Sequence, residues 1–345
     1  IGEDGIENIQ INRETYKGKI YYNVQNIILS FISRGILIGI CSKNNDKDFL
    51  EVFEKKNDMP LKINHFSSIR VNWNRKDKNI IAIAKELNIG LNSIIFVDDS
   101  DFEIGLIEKI LPEVKTFSVP KELHNYPKEL TKLSKFFYNN DLNIENKKRN
   151  KFYYEESLRS KNKETFSDLS QYLKSLNIKL NININKVSQL DRISQLVLKT
   201  NQFNLTTKRY TKGEINQILK AKNKFIFSIN VSDRFGDLGL TGISIIEINN
   251  EKKVAEIDIF LLSCRIIGRQ IEKEFLNQII QYFKNKNVYK IIAIYIPSSK
   301  NAITSSFYRD FGFTEVSSNH KKTIFEIDIK NYQSKKYNLF EVKFG

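Results

Sequence analysis

The first 140 residues alternate between amphipathic and purely apolar stretches. Apolar residues recur at helical spacing around residues 20–34 and again around 80–87. Short apolar runs at 36–41 and 94–97 follow these helices, a pattern typical of strands buried on both faces. Gly35 is expected to end the first helix, and Asp46 to cap the helix that follows the first strand. Because helices alternate with buried strands, we expect a doubly wound parallel α/β sheet.

The second half has a different pattern, in which strands cluster. It predicts four strands, at 178–184, 225–231, 240–248 and 255–262. Two helices, at 188–199 and 212–220, are predicted between the first two strands, and a longer helix is predicted to begin at Ile271. Residues 139–165 are polar and charged with a helical far end, so they are expected to link a domain at 1–138 to one at 166–330. No role is assigned to residues 331–345.

Carboxylates end the second apolar run of the first half. Asp98 and Asp99 follow residues 94–97 directly, and Asp101 and Glu103 come soon after. Ligands of open α/β sheets bind at the carboxyl ends of the strands, where these side chains would repel one another unless they shared a cation. The pattern favours a Mg²⁺ site. The alternative is an exposed acidic turn in which one Asp caps a helix.

Two further polar residues are expected at the same edge of the sheet. Ser42 follows the first apolar run, and Lys76 opens the helix before the acidic strand. A hydroxyl can bind a transferring phosphoryl group, an ammonium can neutralise its charge, and carboxylates can hold Mg²⁺ against it. The set therefore suits phosphoryl transfer. Individually, Ser42 could close a turn and Lys76 could be a solvated lysine at a helix start.

A glycine-containing turn leads into the long helix of the second half. Arg265 and Arg269 flank Gly268, and the helix begins after Gln270. Free backbone N–H groups and a helix N-terminus both attract anions, so we expect an anion site here. The alternative is a tight turn that uses Gly268 only for its conformational freedom.

Charge and cysteine content narrow the class of protein. The formal net charge is +15, and Lys plus Arg outnumber Asp plus Glu by 35 to 21 in residues 141–345 but only by 20 to 19 in residues 1–140. The second half is thus the one expected to meet an anionic partner, although no nucleic-acid-binding motif is present. Cys41 and Cys264 lie in apolar runs, and no apolar run has membrane-spanning length. We therefore expect a cytoplasmic protein without a membrane partner.

The first half resembles the haloacid dehalogenase (HAD) superfamily, and within it subfamily IIIC of FkbH-like proteins. The matching phrases are Ile1-Gly-Glu-Asp-Gly5, Cys41-Ser-Lys-Asn44, Glu51-Val-Phe-Glu-Lys55, Asn72-Trp73, Glu86-Leu-Asn-Ile-Gly90, Phe96-Val-Asp-Asp99 and Leu111-Pro-Glu-Val114. The resemblance implies catalytic roles for Ser42, Lys76, Asp98 and Asp99, with Mg²⁺ held by Asp98, Asp99 and Glu103. The family's first motif, a strand ending in Asp-x-Asp that supplies the nucleophile, is absent. The resemblance therefore implies an N-terminally truncated chain.

The second half resembles the GNAT acyltransferases, an α+β fold with a mixed sheet. In that family, a turn like the one at 265–270 holds the pyrophosphate of acyl-CoA; here Gln270 replaces a small residue. The resemblance assigns Tyr308 to protonation of the leaving thiolate, with a core aromatic as the alternative. The residues that it assigns to the cofactor are Arg265, Ile266, Gly268, Arg269, Gln270 and Asn301.

Together, the two resemblances imply an FkbH-like enzyme. Such proteins load a glyceryl unit from a phosphorylated glycerate onto the phosphopantetheine thiol of an acyl carrier protein, with loss of phosphate. The expected cofactors are Mg²⁺ and acyl-CoA or carrier-bound phosphopantetheine, and the expected partners are a carrier protein and a small phosphorylated substrate, not nucleic acid. Two alternatives remain: a phosphatase fused to an acetyl-CoA-dependent small-molecule N-acetyltransferase, and a catalytically dead binding module.

Overall fold

The computed structural model describes residues 9–137 and 149–345, apart from the single positions 57, 88, 331 and 336. The chain divides into two compact units, Ile1–Thr165 (unit 1) and Phe166–Gly345 (unit 2). The loop at residues 1–5 and residues 139–148 of the polar segment lie outside the described residues. None of the described helices is long and apolar enough to cross a membrane.

Unit 1 is built from helices and short parallel strands. Its helices are α1 (Tyr16–Ser33), α2 (Asp46–Lys55), α3 (Lys76–Leu87), α4 (Asp101–Ile110), α5 (Tyr126–Thr131) and α6 (Arg149–Glu164), and its strands are β1 (Gly39–Ser42), β2 (Ser68–Val71), β3 (Ile95–Asp98) and β4 (Lys115–Ser118). β1 pairs in parallel with β2, and β3 pairs in parallel with β4. The expected parallel pairing is confirmed, but within the described residues the two pairs form separate two-stranded sheets instead of one.

Two helix ends of unit 1 were predicted from local sequence, one correctly and one wrongly. Gly35 adopts a φ of 82° just after α1, as expected. The cap of α2 was predicted wrongly: Asn45 is the N-cap residue, with extended backbone angles, and Asp46 is the first helical residue. An acidic side chain in the first turn still stabilises the helix, because it faces the positive end of the helix dipole.

β3 is less buried than its apolar sequence predicts. Phe96 and Asp98 are buried, but Val97 between them is 39% exposed. Successive side chains of a strand point to opposite faces, so only one face of β3 is covered. That face packs onto a small core cluster that includes Ile80, Ile104 and Ile107. The prediction of a strand buried on both faces is therefore wrong for this chain.

Helix α6, from the segment expected to be a linker, is tied to the strands of unit 1 by one side chain. The Asn150 amide group donates to Ile36 O at 2.8 Å, and its oxygen accepts from Ile38 N at 2.8 Å and from Ser67 Oγ at 2.6 Å. Asn150 is almost fully buried. These bonds satisfy backbone groups just before β1, where no strand partner does so.

Unit 2 contains a nine-stranded mixed sheet with helices on both faces. Its helices are α7 (Leu169–Ser175), α8 (Leu190–Lys199), α9 (Lys212–Lys220), α10 (Ile271–Lys284) and α11 (Phe307–Phe311), and its strands are β5 (Ile178–Ile184), β6 (Phe203–Asn204), β7 (Lys224–Asp233), β8 (Gly236–Asn249), β9 (Val254–Leu262), β10 (Lys290–Tyr295), β11 (Thr314–Ser318), β12 (Thr323–Asp328) and β13 (Phe340–Phe344). The predicted strands and helices of this half are confirmed, with ends that differ by a few residues.

The sheet order places β9 near the middle of unit 2. The order is β11-β12-β10-β9-β8-β7-β5-β13, and the short β6 also pairs with β9. β9 runs parallel to β10 and antiparallel to β8. One face of the sheet packs on a large core that includes α10, and the other packs on a smaller core with α8 and α9.

The C-terminal tail, which had no expected role, completes one edge of this sheet. β13 pairs in parallel with β5. The segment before it is held by Asn277 of α10, which accepts hydrogen bonds from Tyr332 Oη at 3.0 Å and from Lys335 N at 3.2 Å and donates to Lys335 O at 3.0 Å. The tail is thus part of the folded unit.

Candidate functional site

In unit 1, the structure brings Lys76 and Asp98 together. Lys76 begins α3 and Asp98 ends β3, and Lys76 Nζ lies 2.6 Å from Asp98 Oδ2. The two side chains are 12% and 7% exposed, so this is a mostly buried ion pair. The other oxygen, Asp98 Oδ1, accepts a hydrogen bond from Ser100 N at 3.0 Å. The carboxylate is thereby held rigidly at the strand end.

A second ion pair lies in the same unit and was not predicted. Lys43 Nζ lies 2.6 Å from Glu103 Oε1, and Glu103 is buried. The other carboxylate oxygen, Glu103 Oε2, is buried and has no hydrogen-bond partner among the described residues. An acceptor of this kind is costly to bury, and a cation or a donor from a ligand would satisfy it. The available signal for Lys43 was its place directly after Ser42 at a strand end.

The end of β1 borders this charged region. Ser42 is its last residue, and Ser42 O accepts a hydrogen bond from Asn72 N at 3.1 Å. The neighbouring Cys41 donates its thiol hydrogen to Lys76 O at 3.7 Å. Burial raises the pKa of Cys41 to about 11, against the opposing effect of Lys76, while Asp98 and Glu103 raise it further. Cys41 is therefore a protonated thiol at neutral pH, surrounded by the predicted site residues.

Asp99, unlike Asp98 and Glu103, is not buried. Its side chain is exposed at the surface. The pKa of Tyr126 is raised chiefly by burial, then by Tyr21, and then by the negative charge of Asp99. In residues 9–137 and 149–345, no three His, Cys, Asp or Glu side chains are grouped so that they could hold a metal ion. The structure thus offers Asp98 and Glu103 as buried carboxylates, with Asp99 outside them.

Two exposed aromatic side chains follow the strand ends of unit 1. Trp73, just after β2, is 70% exposed and donates from Nε1 to Asn45 Oδ1 at 3.0 Å, which links the loops after β1 and β2. Phe102, in the first turn of α4, is 72% exposed. Sequence reasoning gave neither side chain a role, although both follow predicted strands closely.

In unit 2, the predicted turn leads from β9 into α10. Gly268 has a φ of 80° and Gln270 a φ of 62°, both in the left-handed region. Nothing lies within 4 Å of the position where a Gly268 Cβ would stand, so the turn is open on that side. The conformational need for Gly268 is real, and the open backbone also suits an anion.

The charged residues of this turn are placed differently from one another. Arg269 is buried, and its Nη1 lies 3.3 Å from Oδ2 of the fully buried Asp233. Its charge is therefore compensated inside the unit. Arg265 is half-buried, and its backbone N–H points at Ser263 Oγ at 3.5 Å. Ile266 is fully buried and anchors the turn in the core.

Asn301 and Tyr308 lie inside unit 2. Asn301 is fully buried and makes four hydrogen bonds to neighbouring chain segments. The Tyr308 ring packs against Phe307, Phe313 and Phe325. Its hydroxyl is buried without a partner among the described residues, and burial raises the pKa of Tyr308 strongly. In this conformation the hydroxyl cannot reach a ligand, and the position matches the core-aromatic alternative.

Comparison with known proteins gives partial structural likenesses. No family model matches the chain, and no curated protein matches it. The N-terminal part of the protein BF1531 from Bacteroides fragilis, which contains a phosphatase domain complexed with Mg, is 36% identical over 38% of this chain and 35% of that one, with a TM-score of 0.37. This chain thus spans about a third of the length of that protein.

Similar structures also include N-acetyltransferases. A spermidine N-acetyltransferase SpeG chimera from Vibrio cholerae and hSSAT is 18% identical, covering 44% of this chain and 96% of that one, with a TM-score of 0.36. The ribosomal-protein-S18-alanine N-acetyltransferase from Escherichia coli is 10% identical, covering 46% and 99%, with a TM-score of 0.35. The structural neighbours are therefore a magnesium-bound phosphatase domain and N-acetyltransferases, each matched over less than half of this chain.

Proposed function

We propose that the chain is an FkbH-like enzyme that takes a phosphorylated three-carbon acid in unit 1 and transfers its acyl group to the phosphopantetheine thiol of an acyl carrier protein in unit 2. The carboxyl group of the substrate would be an acyl phosphate: the thiol sulfur would bond to the carbonyl carbon while the bond from that carbon to the phosphate oxygen breaks and phosphate leaves. The observation that carries the first half of this proposal is the buried pair Lys76–Asp98, with 2.6 Å between its charged atoms at the end of a parallel strand. A buried ammonium beside carboxylates is suited to a phosphoryl group and a divalent cation.

The chain's own residues divide the work in unit 1. Lys76 would neutralise the phosphoryl oxygens, and the Ser42 hydroxyl would hold one of them in place. Asp98 and Glu103, the two buried carboxylates, would hold Mg²⁺, whose chemistry is to polarise a phosphoryl oxygen; Asp99, which was expected to join them, lies outside this pair. The buried Glu103 Oε2, which has no partner among the described residues, supports this assignment because a carboxylate oxygen is a preferred Mg²⁺ ligand.

The nucleophile would come from a further parallel strand that joins the two sheets of unit 1 into one HAD-type sheet. Within the described residues, β1 pairs only with β2 and β3 only with β4. Lys76, at the start of the helix that follows β2, reaches Asp98 at the end of β3, which supports a common edge for the carboxyl ends of both pairs. A strand between β1 and β3 that ends in Asp-x-Asp would place its carboxylates at that edge.

Unit 2 would carry out the acyl transfer. The open turn at residues 265–270 before the 14-residue helix α10 supports anion binding there. Acyl carrier proteins are acidic, and the excess of Lys and Arg in residues 141–345 complements that charge.

The test is intact-protein mass spectrometry of a holo carrier protein after incubation with phosphorylated glycerate, Mg²⁺ and the enzyme. A protein that carries an Asp-x-Asp strand beside these residues should release phosphate and add a three-carbon group to the carrier, whereas a protein without such a strand should release no phosphate. Acetylation of a small amine from acetyl-CoA, with no carrier adduct, would instead support a phosphatase fused to an N-acetyltransferase. If neither a carrier adduct nor an acetylated amine is formed, the result would support a binding module.

A further inference from the structure

The strands β9 and β10 of unit 2 stay paired over only part of their length. The parallel register runs from Val254 opposite Lys290 to Ile257 opposite Ala293 and then stops. The other edge of β9 remains paired with β8 as far as Leu262. From residue 258 to residue 262, therefore, one edge of β9 faces the space from which β10 has diverged.

The chain fills this space with its own residues 203–206, which we call the strap. Phe203 lies opposite Leu262 and Asn204 opposite Leu261, in antiparallel register. Leu205 N donates to Phe260 O at 3.2 Å, and Thr206 Oγ1 donates to Asp258 O at 2.9 Å. The strap thus uses the edge of β9 that β10 leaves free.

The strap is also bound on its other side. Ile296 N, just after β10, donates to Leu205 O at 2.8 Å. The Asn301 amide nitrogen donates to Asn204 O at 2.8 Å and to Ile296 O at 2.9 Å, and its oxygen accepts from Ser298 N at 2.8 Å. All four strap residues are buried. Asn301 therefore fastens the strap between the two strands.

This edge is where a pantetheine arm would have to lie. An arm whose phosphate sits in the turn at 265–270 runs back along β9, and its amide groups can pair with a strand only at a free edge. β8 occupies one edge through Leu262, and the strap occupies the other. With both of its edges occupied, the stretch 258–262 of β9 does not fit a pantetheine arm in this conformation.

We propose that the strap is a built-in occupant of the pantetheine site and that an arm binds along β9 only after residues 203–206 withdraw. The inference rests on the proposed function of unit 2 and adds a closed state to it. The apparent affinity for the arm is then lower than the intrinsic affinity by the fraction of molecules in which the strap is out. Loosening the strap must therefore tighten binding.

Hydrogen exchange measured by mass spectrometry tests this directly, with CoA as the probe and the full chain as the sample. Without CoA, amides of residues 203–206 should be protected by their bonds to β9 and β10. Saturating CoA should increase exchange in the strap peptide and decrease it in the peptide that covers residues 265–270. CoA binding that protects the turn while the strap keeps its full protection would overturn the inference.

The Thr206→Val variant removes the hydroxyl bond to Asp258 O and keeps the side-chain shape. Its apparent Kd for CoA should fall by about 2- to 10-fold, the effect of one hydrogen bond lost from the closed state. Thr131→Val is the matched control, because it removes a similar hydroxyl-to-carbonyl bond in unit 1, to Pro127 O at 2.8 Å. Equal or weaker CoA binding by the strap variant would contradict the proposal.

Asn301→Ala should open the strap further, and the milder Thr206 variant keeps the test valid if that protein fails to fold. If the loosened variants bind no CoA at all, the strap does not cover a pantetheine site and the inference is wrong. The carrier acylation assay then decides independently whether the proposed function stands, since a three-carbon adduct on the carrier needs no free CoA.

Discussion

At the scale of single residues, two buried carboxylates of unit 1 each form an ion pair with a lysine. Asp98 and Glu103 are buried, and each lies 2.6 Å from the ammonium of Lys76 or Lys43. A buried carboxylate is tolerated only when a cation or hydrogen-bond donors compensate its charge. The same pairing holds the two carboxylates and the two ammonium groups in fixed positions.

Replacing Lys76 with methionine should destabilise unit 1 strongly. The change leaves Asp98 buried without its cation, which costs about 3–5 kcal/mol when one partner of a buried pair is removed. Urea unfolding followed by tryptophan fluorescence would show the loss, since Trp73 lies in the same unit. Lys55→Met is the control, because its pair with Glu51 is exposed and is worth about 1 kcal/mol at most. Equal unfolding midpoints for the two variants would contradict the buried-pair interpretation.

The Cys41 thiol should react slowly while unit 1 is folded. Its pKa is raised to about 11 from 9.0, chiefly by burial, so very little thiolate exists at pH 8. Iodoacetamide at pH 8 should label the exposed Cys264 first and Cys41 only after unfolding in urea. Because the unfolded chain releases this proton at lower pH than the folded one, the free energy of unfolding should fall as pH rises from about 9 to about 11. Equally fast labelling of both cysteines in the folded protein would contradict the assignment.

At the scale of elements, the turn between β9 and α10 contains two arginines, which the sequence alone does not distinguish but which the fold places in different surroundings. Arg269 is turned inward to Asp233 and joins the start of α10 to the end of β7, whereas Arg265 is half-buried beside the open turn. The sequence predicts the turn, because strand periodicity ends and helical periodicity begins around Gly268. The inward position of Arg269 depends on Asp233, which is 36 residues away along the chain.

Charge reversal at the two arginines should therefore have different effects. Arg265→Glu should weaken binding of CoA and reduce its dependence on salt. Arg269→Glu should lower the unfolding midpoint of unit 2, because the buried Asp233 carboxylate would lose its cation and lie near a second negative charge. Calorimetric CoA titrations at two ionic strengths and thermal unfolding distinguish the two outcomes. Unchanged CoA affinity in Arg265→Glu would remove this turn as a phosphate site.

At the scale of the whole molecule, two units with separate cores carry different chemistry. Unit 1 contains buried ion pairs at strand ends, and unit 2 contains a large mixed sheet in which one strand edge is closed by the chain itself. The excess positive charge lies in residues 141–345. Under the proposed function, an acidic carrier protein is therefore expected to bind mainly to that part of the chain.

The sequence by itself determined the element types, most strand and helix positions, the strand-end location of Ser42 and Asp98, and the helix-start location of Lys76, because hydrophobic periodicity is a local property. The tertiary structure alone decided how those side chains are paired. Lys43 meets Glu103 across 60 positions, and Asn301 meets Asn204 across 97. The strap and the two separate sheets of unit 1 are likewise long-range outcomes. Local patterns do not encode them, since they depend on which buried polar groups find partners when distant segments pack together.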